Sequence, residues 1–293
     1  MGKDNWFTAK IQLRYTDIDA QGHVNNVSVV ELMQQARTQI LESGSDQQSL
    51  LGSGVVVTSH EITYHAPIFY SPNYLDVEVG VSKVGGAKFE MAYRITQNGR
   101  LCVSATTSLC PFDFDAQYPR RLNDSERAFF NQWRVEREPA EALPIPNLNG
   151  GGHKTAAQPR WSDIDGYGHV NNVVQLNYLM LGRIDTTVSA DPSTARAGIN
   201  VEGQEGGLSW VIVRQDVQYI HQVAYRPEPY EVRTAVTKVG NKSLTLAAEL
   251  CSPEDVNPLT RGQVVLVSVD PSTGRSISLP ESTREAMSDL LIK

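Results

Sequence analysis

The chain of 293 residues carries a net charge of −7, with 40% hydrophobic and 20% charged residues; this predicts one large or two ordinary globular domains and excludes a disordered tail protein. Residues 1–146 hold 13 Lys and Arg against 17 Asp and Glu, and residues 147–293 hold 13 against 16, so neither half offers the basic footprint of a nucleic-acid binder. There is no apolar run at the start, none of about 18 residues elsewhere, and no CxxC pair among Cys102, Cys110 and Cys251; the expectation is a cytoplasmic protein with no signal peptide, membrane span, metal or other cofactor.

In chain order, a short strand (10–15) leads into an Asp-rich segment, and a helix follows whose Val29, Met33, Ala36 and Ile40 share one face. Strands come next with period two: Leu75, Val77, Val79 and Val81, then Phe89, Met91, Tyr93 and Ile95, then Leu101 to Leu109. Gly85-Gly86 marks a hairpin turn, and a charged helix (124–135) closes the half. Residues 138–153, with Pro, Asn and Gly, read as a linker. The same grammar then recurs. A strand (156–161) precedes a helix bearing Val173, Leu176, Met180 and Ile184; Gly240-Asn241 is a turn; Leu244, Leu246, Ala248 and Leu250 alternate; a helix (281–291) ends the half. The predicted domains are 1–140 and 154–293, with 141–153 between them. One early helix followed by an antiparallel meander is an α+β grammar.

The recurrence is a sequence repeat. Asp17–Val27 reads DIDAQGHVNNV and Asp163–Val173 reads DIDGYGHVNNV, nine of eleven positions identical. Weaker echoes follow at a wider spacing: Glu61-Ile62-Thr63-Tyr64 with Asp216-Val217-Gln218-Tyr219, and Lys83 with Lys238. The wider spacing places a polar, Gly-rich insertion near 190–207. Asp before a helix is an ordinary cap and Gly an ordinary turn residue, but a cap alone does not need the His. The chemical reading is that the first helical N–H groups, at Asn26 and Asn172, lie at the positive end of the helix and can hold an oxyanion. The carboxylates of Asp19 and Asp165 sit on a loop able to fold back over that end. His23, Asn25, His169 and Asn171 add an acid/base candidate and a donor, and a carboxylate with an oxyanion site is a minimum kit for acyl transfer to water.

These residues resemble two tandem copies of the hot-dog fold, and the motif resembles those of the 4-hydroxybenzoyl-CoA thioesterase and acyl-ACP thioesterase families. The resemblance implies two hot-dog domains, each an antiparallel sheet wrapped around one long helix, forming a pseudo-dimer within the chain. It implies that Asp19 and Asp165 are catalytic carboxylates and that the N–H groups of Asn26 and Asn172 meet the thioester carbonyl. The plant acyl-ACP enzymes share the His at His23 and His169 but have Asn where Gln21 and Tyr167 stand. They also carry a strand Glu whose nearest counterparts are Glu61 and Asp216. The implied activity is hydrolysis of acyl-CoA or acyl-ACP, with Asp as general base or as nucleophile, and with further homo-oligomerisation open.

Other features carry less. Lys83 and Lys238 are weak candidates for CoA phosphates, as are Gln21 and Tyr167 for substrate contact; Arg37 and Arg183 recur and read as structural. Cys110 or Cys251 as nucleophile lacks a partner His and reads as a core thiol. His60, His65, His153 and His221 form no pattern. A G-x-S-x-G elbow is missing. The alternatives to a hydrolase are a hot-dog hydratase or dehydratase and a sensor that binds acyl thioesters without turnover.

Overall fold

The computed structural model describes residues 5–44, 50–137, 140–195, 209–270 and 272–292. The chain divides between Ala142 and Leu143 into two compact units. In the first, β1 (Phe7–Ile11) is followed by a 3-10 turn (Tyr15–Asp17), α1 (Asn26–Glu42), α2 (Leu50–Ser53), β2 (Val55–Tyr64), β3 (Leu75–Val84), β4 (Phe89–Gln97), β5 (Arg100–Asp113), β6 (Tyr118–Pro119) and α3 (Asp124–Gln132). Its strands run in the order β1-β3-β4-β5-β2, neighbours antiparallel, with β6 beside β5. The second unit holds β7 (His153–Ala157), a 3-10 turn (Trp161–Asp163), α4 (Asn172–Ala190), β8 (Ser209–Tyr219), β9 (Tyr230–Val239), β10 (Ser243–Cys251), β11 (Pro258–Val269) and α5 (Glu281–Ser288). Its order, β7-β9-β10-β11-β8, repeats that of the first. Each unit is a hot-dog domain, an antiparallel sheet wrapped on one long helix.

Period-two alternation explains the strands. Leu75, Val77 and Val79 are buried while Asp76 and Glu78 between them are not. The predicted turns are closed by Gly85 N–H on Lys88 O (2.8 Å) and Gly240 N–H on Ser243 O (2.7 Å). In α1 the predicted face of Val29, Met33, Ala36 and Ile40 is buried against the sheet. Among the described residues no helix is long and apolar enough to cross a membrane.

Several boundaries differ from expectation. Both first strands begin and end earlier than predicted; in the second half Pro159, without an N–H, cannot extend β7. The closing helices are shorter because the chain turns back to bridge the sheet, Arg134 beside Val81 and Leu291 beside Val236. The predicted insertion lies, beyond residue 195, outside the described residues. The predicted linker is built into the second unit over 143–153: Leu143 N–H donates to Asp216 Oδ2 (2.8 Å), Leu148 N–H donates to Glu249 Oε1 (2.9 Å), and Leu148 packs with Ala235 and Ala247. Since Thr234 and Ala248, the neighbours of Ala235 and Ala247 in the chain, face the helix, this strap covers the other side of the sheet.

The largest difference lies in α4. Of the expected face, Val173 and Leu176 are buried, Met180 is half-buried and Ile184 is exposed; Gln175, Leu179, Gly182 and Thr186 are also turned inward. These four match Val29, Met33, Ala36 and Ile40 at the spacing of the motif repeat. The polar ones are satisfied: Gln175 Nε2 donates to Val170 O (2.8 Å), Thr260 Oγ1 donates to Gln175 Oε1, and Thr186 Oγ1 donates to Gly182 O (2.7 Å). Gly182 is small because the sheet comes close; a Cβ there would lie 2.4 Å from Val232 Cγ1.

Two stability predictions follow from this packing. Gly to Ala in a helix interior ordinarily stabilises by about 1 kcal/mol, yet Gly182→Ala should destabilise the second unit by about 1–3 kcal/mol, read from denaturant midpoints. In the first unit His60 is fully buried, with Nδ1 2.9 Å from Thr107 Oγ1; burial, then the neighbouring Arg37, lowers its pKa to about 3. The unfolded imidazole protonates near its ordinary value while the folded one stays neutral, so stability is full above about pH 6.5 and is lost as pH falls toward 3. Between pH 7.5 and 5 the loss should be about 2 kcal/mol, and His60→Gln should remove that component of the urea-unfolding curve.

Candidate active site

The repeated segment forms the same loop twice. In the first half Ile18 bridges Val24, Asp19 N–H donates to His23 O (2.8 Å), and Asn25 N–H donates to Asp17 O (2.8 Å). Gly22, at φ 80°, and Gly168, at φ 81°, turn the tip, a conformation in which the Cβ of other residues crowds the backbone. The Asp19 carboxylate lies inside this turn: its Oδ1 accepts the N–H of Gln21 (2.8 Å) and of His23 (3.1 Å). Asp165 is held alike by Tyr167 N–H (2.9 Å) and His169 N–H (3.4 Å). One oxygen is thus anchored while Oδ2 keeps its lone pairs for another donor. Both carboxylates are half-buried. Gln21 and Tyr167 enter the site through their backbone N–H. His23 bridges Phe69 and meets its ring edge-on at 5.1 Å; His169 bridges Ala224.

The helices begin where expected. Asn25 is the N-cap of α1, its Oδ1 accepting Val27 N–H (2.9 Å), and Asn171 caps α4 through Val173 N–H (2.8 Å). The carboxamide oxygen of each is therefore engaged in capping, while the donor expected of these residues is the amide nitrogen of the same group. Asn26 and Asn172 are the first helical residues, whose N–H groups have no acceptor within their own helix. Their carbonyls are held by strand tyrosines, Tyr64 OH to Asn26 O (3.3 Å) and Tyr219 OH to Asn172 O (3.0 Å). That tie, from helix start to the end of β2 or β8, was visible in sequence only as a matched Tyr. The first Asp of each motif was likewise missed as a scaffold element. Asp17 Oδ2 accepts Arg14 N–H (2.7 Å), and Asp163 Oδ2 accepts Arg160 N–H (2.8 Å) and Tyr178 OH (2.6 Å).

Other candidates fall elsewhere. Glu61 is half-buried on β2, opposite Thr106. Asp216, its counterpart, is buried and spends both oxygens within its own half, on Arg214 Nε (2.5 Å) and Nη2 (2.9 Å) and on Leu143 N–H. It is a member of a bidentate ion pair, a different state from that expected of a strand acid. Lys83 and Lys238 do not reach the loop of their own half. Leu75 and Tyr230 pair with the strand ends that lead into the loops, and the lysines stand eight residues further on, roughly 26 Å along the strand. Lys83 meets Glu90 at 3.6 Å instead. The cysteines are buried; burial raises all three thiols, Cys251 to about 11, which makes them poor nucleophiles. Among the described residues no three His, Cys, Asp or Glu side chains are grouped to hold a metal ion.

Two stretches of the chain, residues 13–147 and 159–287, match the family model of the thioesterase-like superfamily. One half also resembles the uncharacterised protein YsmA of Bacillus subtilis (strain 168), 28% identical over 131 residues, which are 44% of this chain and 80% of that one. Among solved structures, the 12:0-ACP thioesterase of Umbellularia californica superposes with a TM-score of 0.71 at 14% identity, covering 90% of this chain and 94% of the other. An acyl-ACP thioesterase of Bacteroides thetaiotaomicron VPI-5482 gives 0.65 at 14% identity over 89% and 97%. At such identity the superpositions establish the fold.

The caps carry a measurable load. Asn171→Ala should lower the stability of the second unit by about 1 kcal/mol, and Asn171→Ser, which can still accept the Val173 N–H, should recover most of it in the same thermal-unfolding series.

Proposed function

The chain belongs to the thioesterase-like superfamily, and from that premise we propose that it hydrolyses acyl-CoA thioesters to a free acid and CoA thiol. The observation that carries the reading is the twice-built loop, in which a backbone-anchored carboxylate stands seven positions before the helix start. The thioester oxygen accepts the N–H of Asn26 or Asn172, where the helix end favours negative charge as the tetrahedral intermediate forms. Asp19 or Asp165, oriented through Oδ1, takes a proton from water at Oδ2 as the water oxygen bonds to the carbonyl carbon. The intermediate then expels the thiolate, which takes up the proton held at Oδ2 of Asp19 or Asp165 and leaves as the thiol, returning the carboxylate. His23 and His169, whose main chains hold the carboxylates, present their imidazoles to this water and leaving group. Asn25 and Asn171 contribute by fixing the helix start. Glu61 is the strand acid we retain as an auxiliary; Asp216 is not. Acyl-ACP is the second carrier to assay, and the three free thiols suit a reducing cytoplasm.

The test is thiol release from a series of acyl-CoA and acyl-ACP substrates, with and without chelator. Asp19→Asn and Asp165→Asn should each leave part of the activity, and the double variant should fall about 10²–10⁴-fold. Tight binding without thiol release from any substrate would replace the hydrolase by a sensor. Loss of essentially all activity in one folded single variant would show that only that half works.

A further inference from the structure

In each half the segment that follows the strand after the long helix lies against the loop of the same half. In the first, Val24 N–H donates to Ile68 O (2.8 Å), His23 bridges Phe69, and the Phe69 ring meets the His23 imidazole edge-on at 5.1 Å. His23 is joined to Asp19 by two bonds. Its N–H reaches Oδ1 (3.1 Å), and its carbonyl accepts the Asp19 N–H (2.8 Å). Whatever fixes Phe69 therefore bears on the carboxylate, through one intervening residue. The second half repeats the arrangement: Val170 N–H donates to Val223 O (2.7 Å), His169 bridges Ala224, and Asp165 N–H donates to His169 O (2.8 Å).

The brace on Phe69 is the carboxamide of Gln97, the last residue of β4. Its Oε1 accepts Phe69 N–H (3.0 Å), and its Nε2 donates to Phe69 O (2.8 Å). One side chain thus pairs with both polar groups of a backbone residue, as a neighbouring strand would, and fixes its position and its tilt together. The Asn98-Gly99 turn, at φ 53° and 74°, holds Gln97 opposite Arg100 at the end of the hairpin. Phe69 is exposed and Gln97 half-buried, so water would satisfy the same backbone groups and the net gain in stability is small. What the clamp adds is a fixed place for Phe69.

The second half braces the same position from another strand. At the repeat spacing of the strands Gln97 matches Ser252, whose side chain ends one atom beyond Cβ. Ala224 is held instead by Tyr230, at the start of β9, whose hydroxyl donates to Ala224 O (2.9 Å). Tyr230 in turn matches Leu75, which has no donor to offer. Each brace is present in one half alone.

We propose that Gln97 is a positioning residue of the first site, acting on Asp19 through Phe69 and His23, and that Tyr230 serves Asp165 in the same way through Ala224 and His169. The catalytic side of this claim rests on the hydrolase reading above. Because the two braces differ in residue and in strand, each site can be loosened without touching the other. A shift of about 1 Å in a reacting group is enough to cost on the order of 10²-fold in rate.

The test uses the full chain in two backgrounds, Asp165→Asn, which leaves the first site, and Asp19→Asn, which leaves the second. Gln97→Leu should lower kcat for acyl-CoA hydrolysis about 10–100-fold in the first background and leave it unchanged in the second. KM and the urea midpoint should stay near those of the parent, a split that a merely structural residue does not give. Tyr230→Phe should act in the second background alone. Amide hydrogen exchange, followed by NMR without substrate, should quicken about tenfold at His23 and Val24 in Gln97→Leu and stay unchanged at His169 and Val170. An unchanged kcat in the first background, an equal loss in both, a loss carried by KM, or unmoved exchange at His23 and Val24 would overturn the proposal. Absence of thiol release from the first site of the parent, with exchange that still responds to Gln97→Leu, would sink the hydrolase for that half and leave the brace. Full hydrolysis in Gln97→Leu with unmoved exchange would do the reverse.

Discussion

A carboxylate that accepts the N–H groups of the second and fourth residues after it is tied into its own turn, and the chemistry assigned to this fold depends on that tie. Asp19 and Asp165 are each secured in this way, by backbone groups that no side-chain substitution removes. The same loop returns its Asn25 or Asn171 N–H to the carbonyl of Asp17 or Asp163, so the carboxylate and the helix start belong to one hydrogen-bonded piece. The sheet then holds that piece from outside, through Tyr64 and Tyr219. Positioning of this kind is laid down on folding, and little has to reorganise when charge develops on a substrate.

Around that shared piece the halves have become different materials. The first packs α1 with Val29, Met33, Ala36 and Ile40 over a fully buried Tyr93. The second places Gln175, Leu179, Gly182 and Thr186 at the same positions, binding the polar ones to local carbonyls and to Thr260. Hydrogen-bonded polar groups and a close-approach glycine therefore do in α4 what aliphatic packing does in α1.

That difference also marks where reading residues one by one loses its grip. The loop, the two helix starts, the glycine turns and the alternating strands were all legible, because each depends on local geometry or period. The inward face of α4 was legible only in part: hydrophobicity selects Val173, Leu176, Met180 and Ile184, of which the first two are buried, and misses the buried repeat partners of the first helix, three of them polar or without a side chain. Carrying the face across by the repeat spacing finds them, since duplication preserves which way a residue points more faithfully than what it is. At the site, the scaffold role of the first Asp of each motif was hidden in sequence and shows only in three dimensions, where Asp17 and Asp163 accept the Arg14 and Arg160 N–H groups while Asp19 and Asp165 are anchored within their own turn. Asp216 could not be told from Glu61 without seeing Arg214 beside it.

The strap over the second sheet bears on the order of events during synthesis. Leu143 and Leu148 are among the first residues of that half to emerge, yet their carboxylate partners lie 73 and 101 residues later in the chain. Contacts of such separation are slow to close, and domains made on the ribosome fold from the N-terminal side at the pace of translation. The first half can be complete before the strap has anything to dock on. Until β10 is made and paired, the face around Ala235 and Ala247 stays uncovered, so the nascent second half passes through an interval in which an apolar sheet surface is open to wrong partners and is closed, late, by its own opening segment.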